Sequence, residues 1–159
     1  MSATFLAEVI AGGALLGLDC SCSPDDAAAR LGEGYAENRF PRLLGRDFGG
    51  VEIWWDRPKG SPDWTCCYIT IECYRHWLTV ADQSPALVAA YGPLRPRISF
   101  TDLEALLAAR GVALVEVKAE DPEPRQFWTP GSTVQVYVDR CGDVYRVLLA
   151  RVPPHGIAA

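Results

Sequence analysis

Six cysteines, at positions 20, 22, 66, 67, 73 and 141, and two histidines, His76 and His155, are the side chains of this 159-residue chain best suited to nucleophilic or metal chemistry. Cys20 and Cys22 form a Cys-x-Cys, Cys66 and Cys67 are adjacent, and Cys73 stands three residues before His76. None of these spacings is the Cys-x2-Cys knuckle of structural zinc sites. Two groupings remain open. Cys20, Cys22, Cys73 and His76 could compose a mixed metal site, and Cys66, Cys67, Cys73 and His76 could serve a zinc-binding or small-molecule-binding, enzyme-like domain. A Cys and His nucleophile pair using Cys66 or Cys73 with His76 finds no orienting third group in the sequence pattern. Cys20 with Cys22, and Cys66 with Cys67, are poor disulfide partners, so the thiols read mainly as small, part-buried side chains. The glycine pairs beginning at Gly12 and Gly49 match neither a phosphate-cradling loop nor a dinucleotide fingerprint. The carboxylate pairs Asp25 with Asp26 and Glu120 with Asp121 fall at a helix start and in a loop, where capping and solvation account for them. The expectation is a protein without catalysis, metal or cofactor.

Recognition is the other chemistry these residue types support. In Gly49–Asp56, strand alternation puts Val51, Ile53 and Trp55 on one face and Glu52, Trp54 and Asp56 on the other. A tryptophan between two carboxylates on the wetter face has no evident burial site of its own unless a helix or loop of the chain covers it. The chain holds five tryptophans, Trp54, Trp55, Trp64, Trp77 and Trp128. Trp55 reads as core, while Trp54 and Trp64 are the surface candidates, and such rings dominate binding hot spots because they exclude water over a rigid area. Glu52, Asp56, Asp63 and Glu72 would steer a basic partner towards them. The candidate interface is therefore Glu52, Trp54, Asp56, Trp64 and Glu72, with Trp54 as the anchor.

These residues need a scaffold, and the sequence outlines one. Phe5, Leu6, Val9 and Ile10 form the stripe of a first helix over about 4–10, which Gly12-Gly13 breaks. Ser23-Pro24-Asp25-Asp26 starts a short second helix that ends at Leu31-Gly32. After a polar link through Asn38 and Pro41, Leu43 to Asp56 reads as extended, and Arg57 to Asp63 as loop. A strand from about Cys66 to Tyr74, with Ile69, Ile71 and Cys73 on one face and Tyr68, Thr70, Glu72 and Tyr74 on the other, would pair with the first as an antiparallel hairpin. Ser84-Pro85 opens a brief helix closed by Gly92-Pro93. Thr101-Asp102-Leu103-Glu104 reads as a capping box before a helix with Leu103, Leu106 and Leu107 inward, stopped at Gly111. Val112 to Lys118 reads as a strand and Asp121 to Pro124 as a surface loop. Val134, Val136 and Val138 alternate in a strand over 132–139, which a hairpin through Arg140-Cys141-Gly142-Asp143 joins to a strand over 144–152. The expected architecture is one α+β domain over 1–152, a mostly antiparallel sheet built from two hairpins with helices on one face, and a frayed tail over 153–159.

Composition narrows the partner. With 49% apolar and 22% charged residues the chain is an ordinary globular protein, large enough to bury a core without staples. Fifteen Lys and Arg against 20 Asp and Glu give a net charge of -5, which disfavours nucleic acid and suits a basic protein. The apolar stretch from Ala3 to Leu18 has no preceding Lys or Arg, is interrupted by Glu8, and has Asp19 before Cys20, so it reads as neither signal peptide nor lipid anchor. No run approaches the length that spans a membrane. The expected location is the cytoplasm.

Several stretches, taken in order, resemble small actinobacterial immunity proteins of polymorphic toxin systems. They are Ser23-Pro24-Asp25-Asp26 leading to Leu31-Gly32, Leu44-Gly45-Arg46-Asp47-Phe48-Gly49-Gly50-Val51-Glu52, Ile69-Thr70-Ile71-Glu72, Phe100-Thr101-Asp102-Leu103 and Trp128-Thr129-Pro130-Gly131-Ser132-Thr133-Val134. They span about residues 15–150, and Arg46 to Glu52 is the most distinctive piece. Where the resemblance leads one to expect a histidine before Arg75, this chain has Tyr74, so no role of that histidine carries over. The resemblance implies a cytoplasmic protein that binds and neutralises a cognate toxin, with no activity of its own. A homo-oligomer whose aromatic face pairs with itself is a further alternative.

Overall fold

Side-chain caps at Ser2, Ser23 and Ser99 fix where three helices begin, and Pro85, at its first position, starts a fourth. In the computed structural model, which describes residues 2–75, 82–93, 97–117, 124–130 and 132–151, helix α1 covers Ala3–Gly12. The Ser2 hydroxyl accepts from the Phe5 N–H, and Gly13, in the left-handed region, ends the helix. Helix α2, Pro24–Leu31, carries the reciprocal bonds of a capping box between Ser23 and Asp26. Helix α3 is Pro85–Tyr91, and α4 is Phe100–Ala108. The cap of α4 is Ser99 and not the expected Thr101. Ser99 is held extended by a bridge to Asp143, and Phe100 donates its N–H to the Gly142 carbonyl, so the chain turns helical at Phe100. Phe100 thereby enters the first turn and stacks on Phe127 at 4.3 Å.

The described residues form eight strands: β1 Ala36–Arg39, β2 Leu43–Asp47, β3 Val51–Asp56, β4 Thr65–Ile71, β5 Val115–Val117, β6 Arg125–Trp128, β7 Val134–Val138 and β8 Val144–Ala150. They form one antiparallel sheet in the order β1-β2-β3-β4-β8-β7-β6-β5. The α+β class and the antiparallel sheet stand as expected, but the sheet consists of two four-stranded meanders and not two hairpins. The expected extended run over 43–56 is itself folded in two. Gly49 and Gly50, at φ 74° and 92°, turn the chain so that β2 pairs with β3, and Phe48 donates to the Val51 carbonyl. The edge strand β1 and the strand β6 are additions to the expected set. The strand expected over 112–118 shortens to Val115–Val117 at the other edge. The tail and the loop at 121–123 lie outside the described residues.

One apolar cluster joins the helices to one face of the sheet. Phe5, Leu6, Val9 and Ile10 of α1, Leu31 of α2, Leu87 of α3 and Leu103 and Leu107 of α4 meet Val51, Ile53, Trp55, Ile69, Ile71, Val134, Val136, Val147 and Leu149 there. Trp55 is wholly buried and its indole N–H donates to the Cys22 carbonyl at 2.9 Å. Arg46, on the same face, is buried beside α2. Its guanidinium donates to the Pro24 carbonyl at 2.6 Å and to Glu37 at 3.0 Å, and lies 4.3 Å from the Tyr35 ring centre. A buried charge is tolerated there because its donors find partners. No helix among the described residues is long and apolar enough to cross a membrane.

Gly49 ties the β2–β3 turn to the approach to α3. A Cβ there would collide with the Asp82 carbonyl, a backbone atom, and Ser84 donates its N–H to the Phe48 carbonyl beside it. Gly49→Ala combines that collision with an unfavourable positive φ, and should lower stability by about 2 to 4 kcal/mol in urea melts. Substitution of the exposed Gly60, which has a similar φ but open space, should cost clearly less.

Candidate interaction surface

The other face of the sheet carries the residues that strand alternation turns away from the helices. Its centre is β3, β4, β8 and β7, where Trp54 is opposite Tyr68, Glu52 opposite Thr70, Thr70 opposite Leu148, Gln135 opposite Leu148 and Tyr137 opposite Arg146. Trp54, Tyr68, Tyr137 and Leu148 are each half-buried there. Trp54 lies flat over β2, because Gly45, its cross-strand neighbour, has no side chain. A Cβ at Gly45 would fall within 2.7 Å of the indole. The indole N–H of Trp54 donates to Glu52 at 3.3 Å.

Ion pairs fasten this face. Arg75 reaches Asp47 at 2.6 Å and also bonds Glu52. Glu72, expected to lie open among the interface residues, is instead buried at 2% exposure. The reason is the pairing of β4 with β8. One step beyond the Ile71 and Val147 pair, Glu72 meets Arg146, whose Nε donates to both carboxylate oxygens at 3.0 and 3.1 Å. A buried carboxylate requires such a partner. Glu52, Tyr68, Thr70, Glu72, Tyr137 and Arg146 surround a depression of about 240 Å³, and Tyr145 with Tyr74 extends the aromatic band beyond Arg146. Tyr137 and Tyr145 meet edge to face at 6.1 Å. Burial, the first cause in each case, holds the Tyr68, Tyr137 and Tyr145 phenols above their usual range. Tyr137 donates to Gln135 at 2.8 Å, and Gln126 donates to the same Gln135 oxygen at 2.7 Å.

The five expected interface residues thus divide. Trp54 and Glu52 belong to the central band. Asp56 is exposed at the end of β3 and makes no ion pair among the described residues. Trp64 packs partly against the core, with the Arg57 guanidinium 4.7 Å from its ring centre, and does not join the band. Glu72 lies in its floor. The expected acidic flank is correspondingly reduced, since Glu52 and Glu72 are neutralised by Arg75 and Arg146, leaving Asp56 and Asp63 as its open carboxylates. Arg75, Tyr137, Tyr145, Arg146 and Leu148 were not singled out from sequence. The alternation of β7 and β8 marks Tyr137, Arg146 and Leu148 as outward, but only the strand order places them beside β4.

The thiol and imidazole groupings fare differently. His76 is outside the described residues. An extra residue in β4, between the pairs Trp54 with Tyr68 and Trp55 with Cys66, turns Cys66 inward and leaves Cys67 half-buried. Cys73 is buried, and burial together with the Glu72 charge pushes its thiol up to about 12, far from a reactive value. Among the described residues no group of three or more His, Cys, Asp or Glu side chains is placed to hold a metal ion. Compared with known proteins, the chain matches no family model, no curated protein and no solved structure.

Removing Arg146 would leave Glu72 buried without its cation. Arg146→Met should therefore cost about 2 kcal/mol, discounted for the partial exposure of the arginine, and adding Glu72→Gln should recover part of that loss in a double-mutant cycle. Gly45→Ala should lift the Trp54 ring, cost about 1 to 3 kcal/mol and red-shift tryptophan emission, a shift that vanishes in a Trp54→Phe background.

Proposed function

We propose that this protein is an immunity-like binding protein: it captures a cognate toxin domain on the outer face of its sheet and neutralises it by covering a surface the toxin needs. The observation that supports this most is the band of Trp54, Tyr68, Tyr137 and Tyr145, half-exposed yet held in place by Gly45, by the Glu52 bond and by neighbouring rings. The buried residues of the four helices join the opposite face. Rigid aromatic side chains lose little entropy when a partner covers them, so a pre-formed band of this kind gives affinity at low ordering cost. The ion pairs beneath the band contribute position more than net charge. Asp56 and Asp63 at one side, with the overall charge of -5, favour a basic partner and would raise its association rate.

In this reading the protein performs no reaction, needs no cofactor, and works in the cytoplasm of the cell it protects. The sequence resemblance points the same way. The test uses the variable C-terminal domain of a large secreted protein encoded next to this chain. Co-expression should restore growth to cells producing that domain, and the purified pair should form a complex. Trp54→Ala should weaken that complex by roughly 2 to 4 kcal/mol, about 30- to 1,000-fold in Kd, with the melting temperature little changed. Absence of rescue by the intact chain would end the toxin reading. Light scattering that shows a tight dimer, lost in Trp54→Ala, would assign the face to a second copy of the chain.

A further inference from the structure

The two halves of the sheet repeat one another, residue by residue, around the β4–β8 seam. Strand β3 reads Val51-Glu52-Ile53-Trp54-Trp55-Asp56, and β7 with the residue after it reads Val134-Gln135-Val136-Tyr137-Val138-Asp139. Each closes the turn before it in the same way: Phe48 donates its N–H to the Val51 carbonyl, and Thr129 donates to the Val134 carbonyl. Each also shifts register at the same place. The shift falls after Trp54 in β3 and after Tyr137 in β7, and it leaves one extra residue, Cys67 or Tyr145, in the strand opposite. The helices follow suit. Ser23 accepts from the Asp26 N–H at the start of α2, Ser99 accepts from the Asp102 N–H at the start of α4, and α1 meets α4 while α2 meets α3.

This correspondence places a pseudo-two-fold axis. Thr70 lies opposite Glu52 and Leu148 opposite Gln135, so Thr70 and Leu148 are equivalent positions, and in the seam they pair with each other. The axis therefore passes between them, through the outer-face depression that both residues line. Trp54 and Tyr137 stand on either side of it. The Trp54 indole N–H donates to Glu52, two residues earlier, and the Tyr137 hydroxyl donates to Gln135, two residues earlier, so one device orients both rings. Three strand spacings across the sheet and four residues along it separate them, a distance of roughly 20 Å.

We propose that the outer face is a two-fold docking surface on which Tyr137 is the second anchor, equivalent to Trp54, and that one partner domain covers both rings at once. This inference rests on the reading of the face as the one that captures the toxin. A standard interface buries about 800 Å² on each partner, a patch about 30 Å across, so a single domain spans two rings at this distance. Two domains, each centred on one ring, would collide over the depression between them. The two ends also differ in charge. The seam pair of Tyr68 with Ala150 has Arg146 with Glu72 as its equivalent, so that ion pair stands at the Tyr137 end alone. Glu52 holds Arg75 at the Trp54 end, whereas Gln135 receives the neutral Gln126 amide at the Tyr137 end. A two-fold surface accepts a partner in two orientations, and these differences select one.

The test is binding of the toxin domain encoded next to this chain by Tyr137→Ala, beside Trp54→Ala, Phe40→Ala and the double ring variant. Phe40, exposed at 54% and outside the band, is the control. Tyr137→Ala should weaken Kd about tenfold or more, and Phe40→Ala by less than about threefold. The double variant should multiply the two single effects, because rings this far apart act independently. Calorimetry on the unaltered pair should give one domain per chain. If Tyr137→Ala fails to fold, hydroxyl-radical footprinting of the unaltered protein decides: complex formation should protect Trp54 and Tyr137 together and leave Phe40 open. A complex that either ring variant leaves unchanged, that protects only one ring, or that holds two domains per chain would overturn the paired surface, with toxin capture itself still standing. No complex with the unaltered chain would instead end the capture reading, and the paired surface with it.

Discussion

The pairing of β4 with β8 is the contact on which the rest of the molecule depends. Each meander could close its own hairpins through local turns, but alone each would leave its last strand, β4 or β8, with an open edge. Joining β4 to β8 removes two open edges at once and creates a continuous inner face wide enough for four helices. On one side it stacks Ile69 on Leu149 and Ile71 on Val147. On the other it brings Thr70 to Leu148 and sets Arg146 across from Glu72. Element order in the two halves is alike: two helices and four strands, then two helices and four strands, meeting at their last strands. The seam is therefore where two similar units become one sheet.

At that seam the two faces solve different problems. The inner face is apolar throughout its centre, and its one deep charge, Arg46, sits near the β1 edge where Pro24 and Glu37 can satisfy it. The outer face mixes rings with ionised groups, and there each charge near the middle is paired across strands: Arg75 with Asp47 and Glu52, Arg146 with Glu72. Such pairs add little net stability when exposed, but they fix the position of what lies on them. Glu52 holds Arg75 and also accepts the Trp54 indole N–H, so the ring is oriented by the same carboxylate that was read from sequence as a steering charge.

Much of this was legible before the fold was known, and the reasons it was not all legible are physical. The cap at Ser23, the Pro85 that opens α3 and the stripes of α1 and β7 are local, and they appear where local chemistry puts them. Trp54 outside and Trp55 inside follow from alternation alone. The β2–β3 turn was missed although Gly49-Gly50 is a hairpin signal, because the apolar residues on both sides read as one extended run. The short strands β1, at one edge, and β6, next to the other, have no apolar alternation to reveal them. Burial of Glu72 could not be inferred from its own strand, since its cover, Arg146, lies 74 positions away. Long-range pairing of this kind is the part of a sheet that single-strand patterns do not contain.

The bulge in β4 shows how one residue can divide a strand between two kinds of chemistry. From Ile71 through Ile69, strict alternation would send Cys67 inward and Cys66 outward. The extra residue at Cys67 reverses that from this point on, so Cys66 faces the core opposite Trp55 while Tyr68 stays outside opposite Trp54. Two adjacent tryptophans on β3 consequently serve opposite layers. Trp54 rests on Gly45 in the aromatic band, and Trp55 donates to the Cys22 carbonyl in the core. Regular pairing of the same residues would set Cys67 opposite Trp55 and turn Cys66 outward, so the bulge decides which of two adjacent cysteines enters the core. The irregularity therefore keeps Tyr68 in the outer band while selecting Cys66, and not Cys67, as the residue packed in the core beside Trp55.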